Sequence, residues 1–136
     1  MTDEILLPNV LRRESRCFLQ YVHESFPWAH GKTEAARTTI LAAAAAEAAE
    51  LAHLAKLLTR RHIAVPFFGA YPSAFTSYNY LAISSLLPKL IADQKRGLAE
   101  LERDIPAVVD PDVRKHLELY RELKRKHIQE FEAVSK

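Results

Sequence analysis

Apolar residues recur at three- and four-residue steps through four long stretches of this chain, and proline, glycine or Asp-Pro separates the stretches. That period is one face of an α-helix. The first helix is expected from about Thr2 to Phe26, with Leu7, Leu11, Phe18 and Tyr21 on its apolar face. Asp3 and Glu4 stand in its first turn, where carboxylates favour the dipole. Pro8 asks for an irregular or late start, and Pro27, Trp28 and Gly31 end the helix. Thr33 is the expected N-cap of a second helix running to about Arg61 through Ile40, Ala43, Ala46, Glu50, His53 and Leu57. A third runs from about Tyr78 to Asp104, kinked at Pro88, with Leu87, Ile91, Gln94, Leu98, Leu101 and Ile105 on its stripe. Asp110 then caps a fourth helix, with Pro111 at its favoured first position. It runs to about Val134, and its stripe is Val113, Leu117, Tyr120, Lys124, His127, Phe131 and Val134.

The expected architecture is therefore all-α, one four-helix bundle domain spanning residues 1–136. Only three glycines in 136 residues, with abundant alanine, favours helix over sheet. Residues 62–77 form the one long connection, broken by Pro66, Gly69 and Pro72. Half of the chain's aromatic residues fall in 67–80: Phe67, Phe68, Tyr71, Phe75, Tyr78 and Tyr80. A segment that aromatic packs on the bundle or on a second subunit, so a homodimer through it is expected.

Composition excludes several classes. A net charge of +2 is far from the basic field that nucleic acid requires. The clusters Arg12-Arg13, Arg60-Arg61 and Lys124-Arg125-Lys126 read as solvated helix surface. No membrane partner is expected, because no stretch reaches about 18 apolar residues. One cysteine, Cys17, cannot make an internal disulfide, and the first ten residues lack a secretory pattern. These features lead us to expect a cytoplasmic protein.

Polar residues on apolar stripes carry the functional information, because burying an unpaired polar group is costly. Glu14 lies on the first stripe, Glu50 and His53 on the second, Gln94 on the third, and Lys124 and His127 on the fourth. Glu50-Leu-Ala-His53 is an E-x-x-H pair, and Lys124 and His127 share its spacing. The other histidines, His23, His30, His62 and His116, show no partner at ligand spacing and read as surface or helix-end residues. Cys17 reads as a small buried hydrophobe, and Tyr21 and Tyr120 as core aromatics.

With the run from Glu14 to Tyr21, these motifs resemble the ferritin-like superfamily, bacterioferritins and rubrerythrins in particular. The resemblance implies a four-helix bundle with one long crossover between its second and third helices, and a di-iron carboxylate site. Carried over residue by residue, it makes Glu14, Glu50, His53 and His127 metal ligands. Gln94 stands where the third helix supplies a glutamate, with Asp93 one residue away. Lys124 stands where the fourth supplies its bridging glutamate, and Glu130 forms a reversed pair with His127.

Counting charge reduces what this site can hold. Glu14 and Glu50 supply two negative charges and Lys124 removes one, so two irons would leave a large uncompensated charge in a low-dielectric core. The expectation is no cofactor, or one iron, alternatively manganese or zinc. Lys124 is expected to take the metal's place, ion-paired to Glu14 and Glu50. The functional expectation is a structural or association module with an eroded di-iron site. The alternatives are an iron-dependent oxidoreductase of the oxidase or peroxidase kind and, behind it, iron storage.

Overall fold

The structure is a computed structural model that describes residues 2–25, 33–79 and 81–135. It is all-helical, with no strand among the described residues. The α-helices are α1 (Asp3–Ser15), α2 (Phe18–Ser25), α3 (Glu34–Arg60), α4 (Ile83–Asp104) and α5 (Pro111–Val134). Short 3-10 turns cover Ser73–Tyr78 and Ile105–Ala107. No helix among the described residues is long and apolar enough to cross a membrane.

α3 and α4 each pack against α1, α2 and α5. The buried apolar side chains form two clusters. One joins α1 (Leu7, Leu11), the end of α3 (Leu54, Leu58), the end of α4 (Leu101) and the start of α5 (Val113, Leu117). The other joins α2 (Phe18, Val22), the start of α3 (Ile40, Ala44), the start of α4 (Ile83, Leu90) and the end of α5 (Phe131). So α1 and α5 begin where α3 and α4 end. The connection from α3 to α4 returns the chain from the first cluster to the second.

The expected first helix is two. α1 stops at Ser15 and α2 restarts at Phe18. The restart is capped from outside: the Phe18 N–H donates to Asp93 Oδ2 of α4 at 3.1 Å. Asp93, a candidate for the metal register, is thus a cap, and Arg96 holds its other oxygen. α1 also tolerates Pro8 well inside the helix. The carbonyl that Pro8 leaves without a donor belongs to Glu4, an exposed residue where water can serve. The expected end of that helix at Pro27, Trp28 and Gly31 lies outside the described residues, as do His30 and Tyr80.

Ile40 and Ala43 are buried as expected, but from Ala44 onward α3 is rotated relative to its expected face. Its buried positions are Ala36, Ile40, Ala43, Ala44, Glu47, Leu51, Leu54 and Leu58. Ala46, Glu50 and Leu57 are only partly buried, and His53 is exposed. The long alanine run gives the helix almost no apolar phase. The leucines at 51, 54 and 58 set it, because each contributes about 1.5–3 kcal/mol when buried.

α4 starts at Ile83, five residues later than expected, and continues through Pro88. The aromatic connection turns largely inward. Phe18 meets Phe75 and Tyr78 edge-on, at ring-centroid distances of 5.1 and 5.2 Å. Tyr21 meets Tyr71 at 5.4 Å, and the Arg16 guanidinium lies over Tyr71 at 4.7 Å. Among the described aromatics of the connection, Phe67 alone points out, 90% exposed. At α5 the Asp110 carboxylate accepts from the Asp112 and Val113 N–H groups at 3.0 and 3.2 Å, as the Asp-Pro pair predicts.

The rotation of α3 has a direct check. Leu54→Ala should lower the unfolding free energy by about 2–5 kcal/mol. Leu57→Ala should cost clearly less in the same urea titration. Equal losses would contradict the placement of this face.

Candidate functional site

Between the two apolar clusters lies one polar layer. Each helical column supplies it at the position separating its two apolar halves. Glu14 comes from α1, Glu47 from α3, Gln94 from α4, and Tyr120, Lys124 and His127 from α5. Lys124, Glu14 and Tyr120 are 1% exposed, and Glu47 and Gln94 are fully buried.

Lys124 organises the layer. Its Nζ lies 2.8 Å from Glu14 Oε1, 3.0 Å from Gln94 Oε1 and 3.4 Å from Glu47 Oε1. An ammonium has three donors, and each has an acceptor here. The Tyr120 hydroxyl donates to Glu14 Oε1 at 3.0 Å. The Gln94 amide donates to Glu47 Oε2 at 3.1 Å. Its opposite flip would set an NH2 against the ammonium and an oxygen against a carboxylate, so the network fixes its orientation. His127 Nδ1 meets Glu47 Oε2 at 2.6 Å. An ionised carboxylate only accepts, so Nδ1 carries the proton.

Burial alone would raise the Glu47 carboxyl, but Lys124 and His127 outweigh it and hold the group below the usual carboxylate range. Burial alone would likewise lower the Lys124 ammonium, but Glu14 and Glu47 reverse that and push it above the ordinary lysine value. Both directions describe a charged, mutually stabilised pair. The remaining negative charge is met from the rim, where Arg13 Nε lies 3.5 Å from Glu14 Oε2 and 2.7 Å from Glu100.

A cleft of about 510 Å³ opens onto this layer, with Arg13, Cys17, Phe68, Arg96, Gly97 and Lys124 among its walls. Gly97 gives the lysine its room: a Cβ there would lie 3.1 Å from Lys124 Cε and 3.4 Å from Glu14 Oε2. Burial raises the Cys17 thiol to about 12, which leaves it a poor nucleophile.

The sequence-predicted residues divide between two places. Glu14, Gln94, Lys124 and His127 meet in the layer. Glu50 and His53 do not join them, because the turn of α3 that faces inward carries Glu47. The three leucines at 51, 54 and 58 carry the signal for it, since Glu47 sits four residues before Leu51 on their face. Lys124 is wholly buried rather than solvated as its basic cluster suggests, and its second acid partner is Glu47 rather than the expected Glu50. Glu130 remains half-buried, one turn beyond His127. His116, expected at the surface without partners, is 7% exposed. Its Nε2 lies 3.0 Å from the Glu50 main-chain oxygen, and its ring is 4.7 Å from that of His53.

The layer does not fit a di-iron centre. Its possible donors are two carboxylates, one imidazole, one amide and the Tyr120 hydroxyl, and an ammonium stands among them. Two divalent ions beside that ammonium would face only two carboxylate charges. Compared with protein-family models, curated proteins and solved structures, the chain has no match among any of the three.

Lys124→Met should destabilise the fold by about 3–5 kcal/mol, because it strands two carboxylates in the core. Chemical denaturation at pH 7 reads that loss. Glu47 adds an acid arm. Its folded value is depressed, so its contribution is present above the ordinary value of 4.5 and disappears as pH falls through the lower folded value. The parent should lose stability below about pH 4.5, and Glu47→Gln should flatten that part of the profile.

Proposed function

We propose that this chain is a ferritin-like helical bundle whose metal position has been taken over by a lysine, and that it acts as a structural or association module. The observation carrying the reading is the Lys124 ammonium, hydrogen-bonded to Glu14, Glu47 and Gln94 at the centre of the core. The column order supports the ferritin-like part. With α1 and α2 taken as one interrupted column, the second and third columns run the same way and the long connection links them. One carboxylate, amide or ammonium per column stands where a metal-binding bundle would present its ligands. Glu47 takes the place in α3 that the sequence assigned to Glu50.

An iron-dependent oxidoreductase would need Glu14, Glu50, His53 and His127 to converge. In the ion-paired arrangement, Lys124 supplies the positive charge that a cation would otherwise bring. The association part rests on Phe67, 90% exposed while the other described aromatics of the connection pack inward, and on Val65 beside it at 41%.

Iron binding tests the lysine. It is best measured by elemental mass spectrometry in a His53→Ala background, so that surface imidazoles do not contribute. Lys124→Glu should gain bound ferrous iron relative to that background. A Lys124-containing protein that binds iron, and loses it on Glu47→Gln, would overturn the reading. For association, sedimentation velocity should show a dimer that Phe67→Ser shifts toward monomer. A parent that is monomeric at all concentrations would remove homodimerisation.

A further inference from the structure

We propose that Glu50, His53 and His116 form a binding site for one divalent transition-metal ion, zinc foremost, on the seam between α3 and α5. The site shares no residue with the buried polar layer, so it stands or falls separately from the lysine-for-metal reading. One imidazole nitrogen from each histidine and one Glu50 carboxylate oxygen lie within 4.8 Å of one another. Among the described residues, no other group of three or more histidine, cysteine or acidic side chains meets that condition.

The geometry arises from two simple spacings. Glu50 and His53 are three residues apart on α3, hence neighbours on its outer face. His116 comes from the second turn of α5 and faces them across the seam. It is the anchored member. It is buried, and its Nε2 lies 3.7 Å from the Glu50 carboxylate; the same nitrogen donates to the Glu50 main-chain oxygen at 3.0 Å, a hydrogen bond that a metal bound through Nε2 would replace. His53 is exposed and the Glu50 side chain is 41% exposed, so both can adjust by side-chain rotation. Tetrahedral zinc, with bonds of about 2.0–2.2 Å, draws its ligand atoms to about 3.4 Å apart. Closing from 4.8 Å therefore requires roughly an ångström of movement from the two mobile members.

The donor chemistry selects the ion. Two imidazoles and one carboxylate are borderline ligands that suit zinc, cobalt, nickel and copper far better than magnesium or calcium. Three protein ligands at a solvent-facing site leave the fourth tetrahedral position to water. Bound metal would also tie α3 to α5, and an ion that binds only the folded chain raises its melting temperature.

The test uses the untagged full chain, stripped with chelator and titrated with zinc against a chromophoric competitor. Cobalt serves as the optical probe of geometry. We expect one zinc per chain, an intense visible cobalt band of tetrahedral type, and a rise in melting temperature with zinc. His53→Ala and Glu50→Gln should each weaken zinc binding at least about tenfold. His62→Asn, an exposed histidine outside the group, should leave it unchanged. No zinc bound by the folded parent would overturn the site. Zinc binding that survives undiminished in folded His53→Ala would equally overturn it.

Discussion

The Lys124 ammonium, held between Glu14 and Glu47, is the contact on which the rest of this fold depends. A charge cannot enter a low-dielectric core alone, and neither can two carboxylates. Each of the three groups is tolerable only because the others are present. Gln94, Tyr120 and His127 complete the set by filling the remaining donor and acceptor positions. A layer so connected is directional in a way that apolar packing is not. It requires Glu14, Glu47, Gln94 and Lys124 to arrive at one level, and so it sets the axial register of all four columns at once.

Two neighbouring features follow from that requirement. Gly97 lies one turn beyond Gln94, where any side chain would press on the lysine stem. Directly after Glu14 the first column breaks, and Asp93 accepts the N–H of Phe18 at the restart. The break delivers Phe18 and Tyr21 to the aromatic connection, which packs over that end of the bundle. The connection thus reads as a lid on the second apolar cluster that leaves Phe67 outside.

Much of this was legible in the sequence. The stripes of α5 and of the later part of α4 are dense in large apolar residues, which puts Lys124 and Gln94 on them but leaves the α4 register open between Asp93 and Gln94. A lysine on such a stripe reads either as a core ion pair or, within Lys124-Arg125-Lys126, as solvated surface, and the facing helices decide between the two. α3 was harder because alanine contributes so little to an amphipathic pattern. Its E-x-x-H spacing points to Glu50 and His53, while three leucines fix a different face and bring Glu47 inward. The break at Arg16 and Cys17 had no local signal, since neither proline nor glycine marks it and its cap comes from Asp93, a residue distant in sequence. His116 lacks a sequence signal for a similar reason. Its partners lie on another helix, and sequence spacing reports only neighbours on the same one.

The central claim is that Lys124 is charged and enclosed at the heart of the protein. The most direct measurement is the ¹H–¹⁵N NMR signal of its side-chain ammonium, assigned with Lys124→Arg and followed as pH is raised. The account predicts a slowly exchanging NH3 signal that persists above pH 10.5, the ordinary lysine value, where exposed lysines have lost their protons. A Lys124 signal that exchanges with water and titrates like those of the surface lysines would contradict it.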